Sequence, residues 1–336
     1  MAERWTWPIA AFGLALVGRK VLRRLRAVDL AGQVALVTGS SRGLGLAIAQ
    51  ELARAGCRIV LCARNADELE RARRSVEALG AEVLAVPCDI TDRQQVHHLV
   101  EQATRHFGRI DVLVNNAGII TVGPLQTQTL DDFERAMAVM FWGVLYPTFE
   151  VLPQMRARRA GRIATITSIG GKVSVPHLVP YGAAKFAAVG LSEGLRAELA
   201  RDGITATTIV PGLMRTGSHL NAEFKSQHRK EFAWFSLGAT LPFTSTSARA
   251  AARQIVGAIR SGEAEVILTW QAALLARVHG LAPGLTSDLM AVVNWLLPGP
   301  GGIGQQHASG KQSESAISQS LLETLGRAAA RELNQL

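Results

Sequence analysis

Between residues 33 and 270 the chain alternates short β-branched or aliphatic runs with longer amphipathic stretches. The runs are Val34–Val37, Arg58–Cys62, Glu82–Pro87, Val112–Asn115, Ile163–Thr167, Thr205–Val210 and Val266–Thr269. Helical patterns separate them: Gly45–Ala55, Ala66–Leu79, Arg93–Phe107, Leu130–Arg158, Ala183–Asp202 and Ser247–Ser261. Strands covered on both faces read as near-continuous apolar runs, and helical crossovers between them require parallel neighbours wound with a right hand. The pattern predicts an α/β fold, a doubly wound parallel sheet of about seven strands with helices on both faces. Ligand in such a sheet binds beyond the carboxyl ends of the strands.

Composition bounds the alternatives. The chain has 336 residues, 48% hydrophobic and 19% charged, enough for one or two cores and unlike a disordered, coiled-coil or collagen-like chain. Three cysteines (Cys57, Cys62, Cys88) are too few for a disulfide framework and suit a reducing compartment. The formal charge is +9. Much of the basic charge follows an apolar N-terminal stretch, WTWPIAAFGLALV at residues 5–17, as Arg19, Lys20, Arg23, Arg24 and Arg26. That stretch is shorter than the roughly 20 residues a bilayer-spanning helix needs. It reads either as a monotopic anchor on an anionic membrane or as a helix packed on the domain. Residues 270–297 form two apolar helical stretches broken at Ala282-Pro283-Gly284, with Arg277 and Asp288 as their formal charges. They read as a buried pair, or as a membrane-facing or substrate-covering surface. The division is thus an apolar and basic segment at 1–30, the α/β domain at 31–270, an apolar helical extension at 271–298 and a polar tail at 299–336. The tail is expected to be disordered to about Ser318, with a short helix at Leu321–Leu333. The expected location is cytoplasmic, peripheral on the inner face of the membrane. The basic residues carry no nucleic-acid motif. His97-His98 lacks partners at metal-ligand spacing and reads as a solvated face, so no metal site is expected.

Chemistry-bearing motifs fall where the sheet places ligands. The first strand runs into Thr38-Gly39-Ser40-Ser41-Arg42-Gly43-Leu44-Gly45 and then a helix. Glycines there permit a tight turn and close backbone approach, and the amides of a helix start hold a pyrophosphate. Asn115-Asn116-Ala117-Gly118 follows the fourth strand, Ser168 ends the fifth, Tyr181-Gly-Ala-Ala-Lys185 opens a helix, and Pro211-Gly212 with Met214 and Thr216 follows the sixth. This ordered set, TGxxxGxG, NNAG, Ser with YxxxK, and PGxxxT, resembles the classical short-chain dehydrogenase/reductase family, over roughly residues 30–270. The resemblance implies a Rossmann-like domain, a nicotinamide cofactor, and a dimer or tetramer built on the helices at Leu130–Arg158 and Ala183–Asp202.

Tyr181 and Lys185 are four residues apart on a helix and share a face. A nearby ammonium favours a phenolate, so Lys185 is expected to lower the Tyr181 pKa. Ser168 can donate to the same carbonyl oxygen as charge develops. The resemblance assigns Tyr181 as acid/base, Ser168 as the polarising group and Lys185 to tyrosine tuning and ribose binding, with hydride moving between nicotinamide and a carbonyl or secondary alcohol. One position departs: Met140 stands where the family carries an asparagine, in Met140-Phe141-Trp142-Gly143. A thioether lacks the amide's donors and acceptors. The alternative is therefore a scaffold or sensor that binds the cofactor without turnover.

The resemblance places the cofactor against Gly39, Ser41, Arg42, Gly43, Leu44 and Gly45, with Asn116, Ala117 and Gly118 beneath and Pro211, Gly212, Met214 and Thr216 beyond. Asp89 and Ile90 take the adenine edge. The second strand ends Ala63-Arg64-Asn65, with Ala63 where NAD-preferring members carry an acid. Arg42 and Arg64 suit a 2′-phosphate, so NADP(H) is expected over NAD(H), with Asn65 beside Arg64 as a further expected cofactor contact. Phe224, Phe232, Trp234 and Phe235 follow the sixth strand among Lys225, His228, Arg229 and Lys230. They suggest an apolar carbonyl or alcohol substrate, or a lid packed on the core.

Overall fold

The architecture comes from a computed structural model, which describes residue 18 and residues 27–240, 245–314, 330 and 333–335. The N-terminal anchor reading and the Leu321–Leu333 helix fall largely outside the described residues.

The expected sheet is present. Seven parallel strands carry it: β1 (Val34–Thr38), β2 (Arg58–Ala63), β3 (Val83–Pro87), β4 (Val112–Asn115), β6 (Gly161–Ile166), β7 (Ile204–Val210) and β11 (Glu265–Ile267). Their spatial order is β11-β7-β6-β4-β1-β2-β3. Every pairing in it is parallel. The order reverses between β1 and β4, and a crevice opens there beyond the strand ends.

Alternate residues of each central strand face opposite layers, which is why β1 is buried throughout. Ala35 and Val37 pack under α1 (Gly43–Arg54), α2 (Ala66–Glu77) and α8 (Ala248–Ser261). Val34 and Leu36 pack under α3 (Arg93–Phe107) and α5 (Gly143–Arg158). The N-cap carboxylate of Asp92 accepts from the amides of Gln94 and Gln95 at the start of α3, and Gly108 closes the helix at φ 83°. The stretch expected as one helix from Leu130 to Arg158 is continuous but not uniform. It is α4 (Leu130–Met137), a π-helical turn (Ala138–Trp142) and α5. Among the described residues this is the one helix long and apolar enough to cross a membrane, yet it packs on the sheet. Next on that side comes α6 (Val179–Glu198).

A smaller lobe sits beyond the strand ends. It contains β5 (Thr121–Val122), β8 (Leu213–Arg215), β9 (Glu223–Phe224), α7 (His228–Thr240) and β10 (Ser245–Ser247). Phe224, Phe232 and Phe235 are buried in its own core with Val122, Leu178 and Leu220. Two buried polar contacts tie it down. Lys225 Nζ donates to Asp132 at the start of α4. His177 Nδ1 lies 2.9 and 3.0 Å from the two Glu231 carboxylate oxygens.

The extension forms α9 (Trp270–Leu281) and α10 (Pro283–Leu296), a hairpin fastened by His279 Nδ1 and Thr286 Oγ1. Disorder directly after Pro298 is not what the structure shows. Here β12 (Ala308–Ser309) pairs antiparallel with β9, and α11 (Gly310–Ser313) follows under a capping box at Ser309. His307 anchors this return through Asp132 and Glu223.

His219, on the 3₁₀ turn Ser218–Leu220, is 3% exposed beside Phe232, and burial pushes its imidazole down to about 4. The unfolded chain takes up this proton near pH 6.5 and the folded chain only near 4, so stability present above 6.5 is lost as pH falls toward 4. A shift of that size corresponds to about 3 kcal/mol. We expect urea unfolding between pH 7 and 4.5 to show this loss, and His219→Leu to flatten the slope by about one proton. An unchanged slope would show that His219 is not the group responsible.

Candidate active site

The site grows from the crossing of β1 into α1. Gly39 and Gly43 take φ of 62° and 58°, the left-handed region where a side chain is strained. A Cβ on Gly39 would lie 2.7 Å from the Ala117 Cα, and one on Gly45 would collide with the Gly39 carbonyl and the Asn116 amide. The turn is thus pressed onto the end of β4. Asn116 fixes the contact: Nδ2 donates to the Thr38 and Gly39 carbonyls at 3.0 and 3.1 Å, and its backbone N–H donates to Thr38 Oγ1 at 3.0 Å. The cap residue of α1, Arg42, offers no side-chain acceptor to the helix amides. A helix start that no side chain caps, with bare glycine backbone around it, fits the pyrophosphate of a dinucleotide.

The second strand delivers the groups expected near a 2′-phosphate, with differing engagement. Arg64 has its side chain 70% exposed, 4.0 Å from Asp89. Arg42 Nη1 already donates to Glu68 Oε1 and to Asn221 Oδ1, each at 3.1 Å. Asn65, expected as a cofactor contact, accepts from the Glu68 amide at 2.9 Å and caps α2. Asp89 accepts from Thr91 N–H and Oγ1, and Ile90 is buried with its Cδ1 against Gly143.

The chemistry-bearing side chains meet at the end of β6. Ser168 caps a 3₁₀ turn (Ile169–Gly171) by accepting the Gly170 amide at 3.0 Å. Its hydroxyl stands beside the Tyr181 phenol and opposes the rise of its pKa. Gly170 makes room for this: a Cβ there would stand 3.1 Å from Tyr181 Cε1 and 3.5 Å from Ser168 Oγ. Lys185, one turn along α6, is 5% exposed and donates to the Ile166 carbonyl at 2.9 Å, with Nζ 5.8 Å from the Tyr181 ring centre. Burial pushes the ammonium down to about 8.

Tyr181 corrects one expectation. Its phenol is raised above the ordinary value, because burial outweighs the opposing influence of Ser168. Lys185 spends its hydrogen bond on a main-chain carbonyl rather than on the phenol. The phenol is accordingly held protonated at neutral pH. Met140 is fully buried on the π-helical turn, and a Cβ on Gly118 would stand 3.7 Å from both its Sδ and the Lys185 Nζ.

Farther out, the Pro211 carbonyl accepts the Ile169 amide at 2.8 Å and joins the two site loops. Gly212 packs under Thr269, Met214 lies on β8, and Thr216 Oγ1 accepts the Ser218 amide. The aromatic residues expected to touch substrate are different in role. Phe224 and Phe232 meet edge to face at 5.4 Å and fill the small lobe's core. The open space beside the site is a cavity of about 520 Å³ between the Ser174–Val179 loop, Pro124–Gln126 and α10. Its wall includes Val175, His177, Met290 and Leu297. His177 was not singled out in the sequence. Its φ of 64° is a strain the sequence hides, relieved by the Glu231 pair.

The short chain dehydrogenase family model matches residues 33–227. The Anopheles gambiae dehydrogenase/reductase SDR family protein 7-like is 40% identical over 221 residues, covering 64% of this chain and 70% of that protein. The mouse dehydrogenase/reductase SDR family member 7B is 31% identical over 280 residues, 81% of this chain and 84% of that one. Among solved structures, an actinorhodin polyketide ketoreductase with NADPH superposes with a TM-score of 0.64 at 30% identity, covering 70% of this chain and 95% of that one. L-Sorbose reductase from Gluconobacter frateurii, solved with NADPH and L-sorbose, gives 0.64 at 28% identity, covering 71% and 97%. With the glycine turn, the Asn116 staple and the Ser168–Tyr181–Lys185 cluster in one crevice, the chain belongs to the short-chain dehydrogenase family.

Proposed function

We propose that this protein is an NADP(H)-dependent oxidoreductase that interconverts a lipophilic carbonyl compound and its secondary alcohol. The observation that carries the reading is Ser168 set beside the buried Tyr181 phenol, with the buried Lys185 one helical turn along α6. When bound, the nicotinamide supplies or accepts the hydride. Tyr181, kept protonated by burial, donates its proton to the carbonyl oxygen as hydride reaches the carbon. Ser168 donates a second hydrogen bond to that oxygen and stabilises the developing charge. Lys185 holds positive charge beside the site below about pH 8 and loses it above. In this reading the ammonium also meets the ribose hydroxyls. Met140 offers no donor beside Lys185, so proton return to Tyr181 runs through other groups.

Cofactor preference rests on Ala63 and Arg64. No carboxylate stands at the end of β2, and the exposed guanidinium of Arg64 is free to meet a 2′-phosphate more readily than Arg42, which Glu68 and Asn221 hold. The apolar wall of the cavity supports a lipophilic substrate. Beside it, Trp270, Leu274, Leu281, Leu285, Leu289 and Trp295 project from α9 and α10 into solvent. An apolar row of this extent marks an interaction surface, and we assign it to peripheral contact with a membrane. Failure of the full chain to float with anionic liposomes would remove that assignment.

Tyr181→Phe is expected to lower kcat on any reduced substrate by about a hundredfold or more while leaving NADPH affinity within about twofold. Loss of affinity without loss of kcat would contradict the acid role. Wild-type binding of NADPH with no turnover on a broad carbonyl and alcohol panel would favour the scaffold reading that Met140 raises. Arg64→Ala should weaken NADPH by about tenfold and leave NADH unchanged, measured by fluorescence titration. Equal losses for both cofactors would overturn the 2′-phosphate assignment.

A further inference from the structure

Farther along the chain than α11, residues 330 and 333–335 lie at the crevice and settle on the glycine turn. The Leu333 carbonyl accepts the Gly43 amide at 2.9 Å, the first amide of α1. Asn334 Nδ2 donates to the Ser41 carbonyl at 2.8 Å and the Glu68 carbonyl at 3.0 Å, and its Oδ1 accepts from Arg71 Nε at 2.8 Å. The Gln335 side-chain amide fills the space where a Cβ on Gly43 would stand, and it also bonds the Asn221 side chain. The Gln335 amide closes the turn onto the Ala330 carbonyl at 2.8 Å, and Ala330 packs against Gly217. Leu333 is 2% exposed and belongs to the main core cluster.

These contacts use what a dinucleotide needs. A pyrophosphate binds at a helix start through its free amides and through the close approach that missing side chains allow. Here one amide is satisfied by a peptide carbonyl, and the cradle over Gly43 holds the Gln335 carboxamide. The segment also bridges both walls of the crevice. Ser41, Gly43, Glu68 and Arg71 lie on one wall, Gly217 and Asn221 on the other. Asn334 sits at φ 57°, a left-handed conformation that asparagine tolerates better than most side chains.

We infer that residues 330 and 333–335 form an autoinhibitory plug, docked in the dinucleotide site and displaced when the cofactor binds. The inference rests on the proposed NADP(H) reading. A docked plug makes only a fraction of molecules competent, and apparent affinity falls by that fraction. Any event that draws these residues away would raise cofactor affinity without altering Ser168, Tyr181 or Lys185.

The test uses the full chain and the variants Asn334→Ala and Leu333→Ser. NADPH is titrated by fluorescence, and amide hydrogen exchange is followed in the peptide containing residues 330–336 with and without NADPH. Asn334→Ala removes three side-chain hydrogen bonds of the plug and is expected to tighten NADPH by about tenfold. In the wild type, saturating NADPH should speed exchange in the peptide. Unchanged NADPH affinity in both variants overturns the plug while sparing the cofactor assignment. Weaker binding, with the peptide more protected under NADPH, overturns it too and makes the segment a cover over bound cofactor. Absence of NADPH and NADH binding in the wild type and both variants overturns the cofactor reading and the plug together. Binding by the variants alone supports both.

Discussion

The contact on which the rest of the site depends is the approach of the β1–α1 turn to the end of β4. Gly39 lies against Ala117 and Gly45 against Gly39, distances that admit no side chain at either glycine. Asn116 converts that approach into hydrogen bonds by donating to two successive carbonyls of the turn. The crevice therefore opens at the strand-order reversal, with the start of α1 pointing into it. Arg64 reaches it from the carboxyl end of β2, Asp89 from β3, Gly118 from β4 and Ser168 from β6, while Tyr181 and Lys185 come from α6.

Burial sets the protonation states in that crevice more than charge pairing does. It raises the Tyr181 phenol and lowers the Lys185 ammonium, and both shifts move the pair toward neutral forms. A protonated phenol beside Ser168 is an acid ready for a carbonyl oxygen. The reverse reaction needs that proton taken away. Met140 makes the route past Lys185 apolar where an amide would make it polar, so the chain reaches the same cluster with a drier surround.

Much of this was legible in the residues. Long apolar runs alternating with amphipathic stretches specify parallel β/α layers, because burial on both faces leaves a period-free signature that short polar insertions do not imitate. The glycine turn, NNAG, Ser168 and YxxxK were legible because each is a short motif at a strand end. What escaped depends on tertiary context. The strands β5, β9 and β12 span two residues each, too short to carry a period. For Phe224 and Phe232 hydrophobicity does not say whether a side chain meets substrate or packs a lid on the core, and it is the packed reading that the structure takes. Asn65 was read as a cofactor contact, whereas an asparagine before Ala66-Asp67-Glu68 is also a helix cap signal, and the cap is what forms. The sign of the Tyr181 shift followed from counting a nearby charge without knowing where Lys185 would donate. Nothing local in Leu333-Asn334-Gln335 announces a partner some 290 residues away in sequence at Ser41.

The central claim is that Tyr181 and Ser168 protonate and polarise a carbonyl while hydride arrives from the nicotinamide. The most direct measurement follows deuterium from NADPH carrying the label at C4, with the full chain and the best carbonyl substrate of a lipophilic panel, read by mass spectrometry of the alcohol. The account predicts one deuterium, at the carbinol carbon, from one face of the ring only. Cofactor bound at saturation with no label in any alcohol product would contradict it.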